Sequence, residues 1–179
     1  QIIANEAWID AATGFARIDG TGNLVKIAGT PLTGTLTVDN TGVGSGALAA
    51  VTTGVDNSAY GVNALNALTS GNDNTAFGDN AMPVATTANN NVAVGSAAGL
   101  ALTTAAGNTL IGTNAGLAVT TSANNVALGL NALSSAVTNG SNTAIGTSAL
   151  STVNSAVVGE GIENTAVGVS ALSGLTTGS

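Results

Sequence analysis

Asparagine recurs at every seventeenth position, as Asn40, Asn57, Asn74, Asn91, Asn108, Asn125 and Asn142, and each copy carries the same neighbours with it. Four positions on comes a glycine (Gly44, Gly61, Gly78, Gly95, Gly112, Gly129 and Gly146), and three beyond that an alanine (Ala47, Ala64, Ala81, Ala98, Ala115, Ala132 and Ala149). A period held seven times constrains the fold more tightly than any single motif, because a unit this short cannot bury an apolar face alone and must stack on its copies. A helical-hairpin repeat needs about twice the length. The repeat therefore encodes one coil of an all-β solenoid, a β-roll in which equivalent positions form ladders. At a spacing of about 4.8 Å per coil the seven units would run about 34 Å.

The remaining columns assign faces. Between Asn and Gly stands a column of larger apolar residues, Val43, Tyr60, Phe77, Val94, Ile111, Leu128 and Ile145, which is expected to form the inward core stack. The alanine before it (Ala59, Ala76, Ala93, Ala127 and Ala144) must then point to the opposite side of its strand. With both faces apolar or small, the outer one is best covered by a second chain, most simply in a homotrimer around a fibre axis. After the fixed alanine come Leu48, Leu65, Met82, Gly99, Gly116, Leu133 and Leu150, then a small apolar column from Val51 to Val153, then Thr52, Thr69, Thr86, Thr103 and Thr120. Strands are predicted at Asn-Thr-Ala-apolar-Gly and again near the small apolar and Thr columns, with a turn around Ala-Leu. Asparagines in register can hydrogen-bond along a ladder and tolerate corners. Glycine supplies a bend or lets another backbone come close, and the fixed alanine suits a site with no room for more.

Composition separates this reading from disorder. Charged residues are only 6% of the chain and the hydrophobic fraction is 44%, whereas disordered segments combine high charge with low hydrophobicity. The net charge is −7 and the two basic residues, Arg17 and Lys26, lie near the start. Nothing basic remains along the repeats to neutralise phosphates, which excludes nucleic acid as a partner and disfavours an anionic membrane surface. No apolar run approaches the roughly 20 residues that span a bilayer, so membrane insertion is not expected. The chain opens at Gln1 rather than Met, which fits a removed leader or a piece of a longer extracellular polypeptide.

The ends depart from the pattern. Residues 1–39 hold Trp8, both basic residues and the acids Glu6, Asp10 and Asp19, with short strands expected over 11–18, 23–28 and 34–38. They read as an entry module that starts the fibre, or as an arm that joins subunits. Residues 40–158 form the 17-residue-repeat solenoid. In 159–179 a terminal coil resumes at Asn164, twenty-two positions after Asn142 instead of seventeen, so five are inserted, and Glu160 and Glu163 mark that insertion as an exposed loop. The stop at Ser179 without a polar cap predicts either a longer natural chain or docking on another subunit.

Catalytic chemistry is not expected. There is no His and no Cys, which removes the usual metal ligands and the commonest general base, and the many Ser and Thr have no base beside them. Three columns invite a second reading. Asp39, Asp56 and Asp73 share the spacing of the repeat; stacked, they would repel unless solvated or bridged by a hard cation such as calcium. The column continues as Asn90, Gly107, Asn124 and Ser141, which favours a solvated edge. The Thr column reads as a structural ladder or as an ice-ordering face, with the structural ladder preferred. Tyr60 and Phe77 read as core, or else as a platform for a glycan.

The segment Asn142-Thr-Ala-Ile-Gly-Thr-Ser-Ala-Leu150 and its copies resemble the Asn-Thr-Ala-Ile-Gly-x-x-Ala-Leu repeats of phage tail fibres and related trimeric bacterial surface fibres. They are also similar to the Asn-Ser-x-Ala-Ile-Gly repeat of trimeric autotransporter adhesin heads, whose coil is commonly shorter. The resemblance covers residues 40–179. It implies a homotrimer of β-solenoids at a virion tail or bacterial cell surface that serves attachment to a host, with a cell-surface receptor or glycan as the partner of the fibre; no binding residue carries over. The competing expectation is a self-assembling extracellular filament joined through residues 1–39, and the more distant one an ice- or calcium-binding solenoid.

Overall fold

The computed structural model describes residues 8–10, 15–17, 24–28, 40–135, 140–152 and 163–174. Its strands form one sheet in sequence order. The first three, β1 (Trp8–Asp10), β2 (Phe15–Arg17) and β3 (Leu24–Ala28), run antiparallel to one another. The next eight are parallel: β4 (Asn40–Val43), β5 (Ser58–Tyr60), β6 (Thr75–Phe77), β7 (Val92–Val94), β8 (Thr109–Ile111), β9 (Val126–Leu128), β10 (Thr143–Ile145) and β11 (Thr165–Val167). Each of these eight belongs to one coil of a β-solenoid, as the repeat predicts.

Register follows the sequence period. Ala59 stands beside Ala76 and Tyr60 beside Phe77, and the same offset of one repeat holds as far as β10. The next step includes the insertion, yet Thr143 still pairs with Thr165 and Ile145 with Val167. The insertion therefore leaves the stacking untouched; residues 153–162, with Glu160, lie outside the described residues. At the other end β3 lies antiparallel on β4, with Val25 opposite Val43 and Ala28 opposite Asn40. The exposed edge that an open sheet would present at the first coil is thereby paired. Strands β2 and β3 fall within the expected segments 11–18 and 23–28, β1 precedes them, and the expected strand at 34–38 lies outside the described residues.

Local chemistry explains why each strand is so short. Counting the repeat Asn as position 1, the strand ends at the glycine of position 5, whose φ is between 125° and 142° in every coil, a region open to glycine alone. A Cβ added to Gly61 would lie 2.3 Å from the carbonyl oxygen of Gly78 one coil on, and one added to Gly95 would lie 2.6 Å from that of Gly112. Both reasons for glycine thus apply at once, the bend and the close backbone approach. Two successive turns then carry the chain round: Ala47 N–H donates to the Gly44 carbonyl and Val51 N–H to that of Leu48. Among the described residues the second predicted strand, near the Thr column, is absent. Its place is taken by bends joined coil to coil through backbone bonds, such as those from the Thr52, Thr53 and Gly54 N–H groups to the Thr69 carbonyl, and by one isolated bridge between Asn89 and Ala106.

The core corrects the assignment of faces. The larger apolar column is not the inward stack: Phe77 is 55% exposed, Leu128 44% and Val167 68%. The interior holds the small residues of position 3 instead, with Ala59, Ala76, Ala93, Ala127 and Ala144 fully buried. Strand alternation is the cause. Asn at position 1 is buried in every coil from Asn40 to Asn142, and residues two apart share a face, so position 3 points in and position 4 out. The volume is filled from across the coil by Leu48, Leu65, Met82, Leu133 and Leu150 at position 9 and by Leu68, Ala85, Leu102 and Val119 at position 12.

Candidate interaction surface

The invariant asparagines are the polar spine of this interior. The Asn57 side-chain oxygen accepts from both the backbone N–H (3.0 Å) and the Nδ2 (2.9 Å) of Asn74. Asn74 Nδ2 also donates to the carbonyls of Asn72 and Ala88, at 3.0 and 2.7 Å. The pattern repeats along the stack and crosses the insertion, where Asn164 donates to the Asn142 oxygen through its N–H (3.1 Å) and Nδ2 (3.0 Å). Such a ladder links each coil to its neighbours, and among the described residues no buried side-chain N or O is left without a partner. A second, shorter ladder lies beyond what the repeat predicts: the Asn72 oxygen accepts from Val55 N–H and the Asn89 oxygen from Asn72 N–H, both at 2.9 Å. Its sequence trace is limited to the pair Asn72 and Asn89, too few to stand out as a column.

Position 17 holds the candidate carboxylate ladder. Asp39 lies outside the described residues. Asp56 and Asp73 are exposed and left-handed, with φ of 58° and 57°. Every other described occupant of the column shares that conformation: Asn90, Gly107, Asn124, Ser141 and Glu163 have φ between 57° and 71°. Asn, Asp and Gly are the residues that enter this region most readily, so backbone geometry accounts for five of the seven described occupants, Ser141 and Glu163 being the exceptions. Among the described residues no group of three or more His, Cys, Asp or Glu side chains comes together as a metal site.

Position 13 holds the Thr column, and its hydroxyls are engaged. Thr52 Oγ1 donates to the Thr69 carbonyl at 3.0 Å, Thr69 to Thr86 at 3.0 Å and Thr103 to Thr120 at 3.1 Å. Each hydroxyl thus reinforces the backbone bond from the same residue to the same carbonyl. The hydroxyl protons are directed along the axis rather than outward to solvent.

The outward column at position 4 is what this geometry leaves unmatched. Tyr60 and Phe77, expected in the core, lie on the outer face and stack on each other, with centroids 5.3 Å apart and planes at 27°. Each ring turns a face toward the other along the axis, which leaves less open ring face for a sugar than the glycan reading needs. With Val43, Val94, Ile111, Leu128, Ile145 and Val167 they form an apolar stripe over all eight coils, flanked at position 6 by exposed Val62, Leu130 and Val169. On the strands themselves the outward residues are Thr, Ser or apolar, and none is charged. Asp79, at position 6, is the one acid beside the stripe among the described residues. Monomeric proteins rarely leave so continuous an apolar surface open.

No helix among the described residues is long and apolar enough to cross a membrane. No protein-family model matches the chain, and comparison with curated proteins and with solved structures returned no significant match.

Proposed function

We propose that this chain is a segment of an extracellular trimeric fibre, of the phage tail fibre or bacterial surface adhesin kind, that supports attachment to a host or surface. One observation carries the reading: an apolar column faces outward at all eight coils of a solenoid whose inward columns already fill its core. A face of that kind is matched by further copies of the same rod. The repeat chemistry supports the same role. Asn and Thr side chains bond coil to coil, Gly lets the backbones approach and Ala fills the interior, which is what a stiff shaft requires. On this reading the chain is not an enzyme and needs no cofactor, its first partner is itself, and any receptor or glycan is engaged by the fibre as a whole.

The competing filament uses residues 1–39 as the arm that joins one subunit to the next. Strand β3 of that segment pairs instead with the chain's own β4, which favours the fibre segment. Light scattering on the soluble species tests the choice. A discrete species of three chain masses is expected; open-ended polymers would establish the filament instead, and a monomer would sink both.

A further inference from the structure

We infer that the outer face of β4–β11 is the seam on which a second copy of this chain docks, side by side, with the same coil of each copy at the same height. The inference deepens the fibre reading and takes the direction of the copies from it, since rotation about a fibre axis keeps every coil in its own layer.

Three observations commit the face to a copy of this chain. The first is charge. At −7 overall two copies repel, so they can meet only where charge is absent. The outward strand positions carry none; among the described residues Asp79 alone stands beside the stripe, at position 6, while Asp56, Asp73 and Glu163 stand at the corner before the strand. The second is chemistry along the length. The face at positions 10 and 11 carries Leu100 and Leu117 in mid-stack but ends in Ser134, Ser135, Ser151 and Thr152, and the face at positions 13 and 14 is rich in hydroxyls. Position 2 of the sheet face is Thr or Ser in most coils, but only this face carries an apolar side chain larger than Ala, that of position 4, at every coil. The third is size and pitch. Eight coils of about 4.8 Å and a width of about 15 Å give a patch on the order of 600 Å², which approaches the roughly 800 Å² that each partner gives to a stable interface. A neighbour built on the same axial spacing keeps its side chains in step with this one over the full length.

The chain contains no cysteine, so single-cysteine variants report cleanly. Val43→Cys and Ile145→Cys stand on the stripe in the first and seventh coils, about 29 Å apart along the axis. Around a three-fold axis the three equivalent faces turn inward and matched side chains meet near the axis, and packed sheets lie about 10 Å apart, within reach of a short bismaleimide. Each variant alone is expected to crosslink to itself in most of the protein, whereas Thr104→Cys, exposed on another face, is expected to crosslink at least tenfold less. Leu128→Asp, outward and partly exposed, is expected to give a folded monomer, recognised by an unchanged β-type circular dichroism spectrum at one chain mass.

Crosslinks that form only when the Val43→Cys and Ile145→Cys proteins are mixed would mean antiparallel copies, which overturns both the matched layers and the fibre axis. A discrete trimer that crosslinks through Thr104→Cys and tolerates Leu128→Asp would overturn this seam while leaving the fibre reading intact.

Discussion

Leu110 occupies the space that Gly116 leaves: its Cδ2 lies 2.7 Å from where a Cβ on Gly116 would stand, and its Cδ1 lies 3.0 Å from the corresponding point on Gly99. In the other coils from the second to the seventh, position 3 is Ala and position 9 of the same coil is Leu or Met, except that Gly99 follows Ala93. Two glycines in adjacent coils and one leucine between them are therefore a single exchange of volume. Leu110→Ala is expected to cost about 2–5 kcal/mol, as core truncations that leave a cavity do. Gly116→Leu alone is expected to overpack against Leu110 and cost about 1–3 kcal/mol. The triple change Gly99→Leu, Leu110→Ala, Gly116→Leu restores the pattern of the neighbouring coils, whose leucines sit at φ near 50°, and should recover most of the loss. Denaturant midpoints for the triple variant and each of its single changes check this; simple additivity of the single-variant losses would refute the exchange.

Asn91 is a test of the buried ladder. Its Nδ2 donates to the Asn74 oxygen (3.0 Å) and to the carbonyls of Asn89 (2.9 Å) and Ala105 (2.8 Å). Asn91→Asp keeps the shape but replaces that donor with an oxygen that faces carbonyls in a buried site. The change should cost about 3–5 kcal/mol at neutral pH, the scale of an uncompensated buried charge. Desolvation raises the pKa of the introduced carboxyl in the folded state. The folded variant then holds a proton that the unfolded one has released, so its stability falls as pH rises from about 4 through the raised value. Melts of wild type and variant between about pH 4 and 7 should show the gap widening with pH. A constant gap would place the side chain in solvent.

The period, the parallel coils, the Asn ladder and the glycine bend are legible because each rests on a residue type with few alternatives, repeated often enough to define a column. The direction of the apolar residues is where size misleads. Bulk favours burying Tyr60 and Phe77, but two other signals in the sequence outweigh it. A column that ranges from Val43 to Phe77 suits a surface better than a tightly packed interior, and the polar Asn two residues before the alanine shares its face. The exchange among Gly99, Leu110 and Gly116 is illegible for a different reason: it joins positions 3 and 9 across the coil, and their proximity depends on turns that the spacing alone does not specify. The antiparallel pairing of β3 on β4 likewise joins a non-repeating segment to a repeating one, where no periodic signal exists.

Gly95 tests close approach. A Cβ there would stand 2.6 Å from both the carbonyl carbon and oxygen of Gly112, at a φ of 133°, so both space and conformation oppose a side chain. Gly95→Ala should destabilise the protein by more than the roughly 1 kcal/mol at which substitutions cluster, and should split the unfolding into two steps as the stack is interrupted in its middle. Gly174→Ala, with nothing within 4 Å of the added carbon, is the matched control and should be neutral. Equal effects at the two sites would show that composition, not contact, selects glycine.

Asp73 separates a corner from a cation site. If the left-handed backbone selects its residue type, Asn serves as well as Asp, and Asp73→Asn should change stability by no more than about 0.5 kcal/mol. Asp73→Val should cost at least about 1–2 kcal/mol, because a β-branched side chain at φ 57° meets the following carbonyl. Millimolar calcium should leave the melting temperature of the wild-type protein unchanged. The carboxylates of the column at Asp56 and Asp73 are both exposed, and Asn90 succeeds them in the next coil with the same φ of 57°, while Glu163, the column's other described carboxylate, stands several coils away. A calcium-dependent rise in melting temperature that Asp73→Asn abolishes would overturn this account, because conformational preference at a corner is indifferent to the charge that a cation requires.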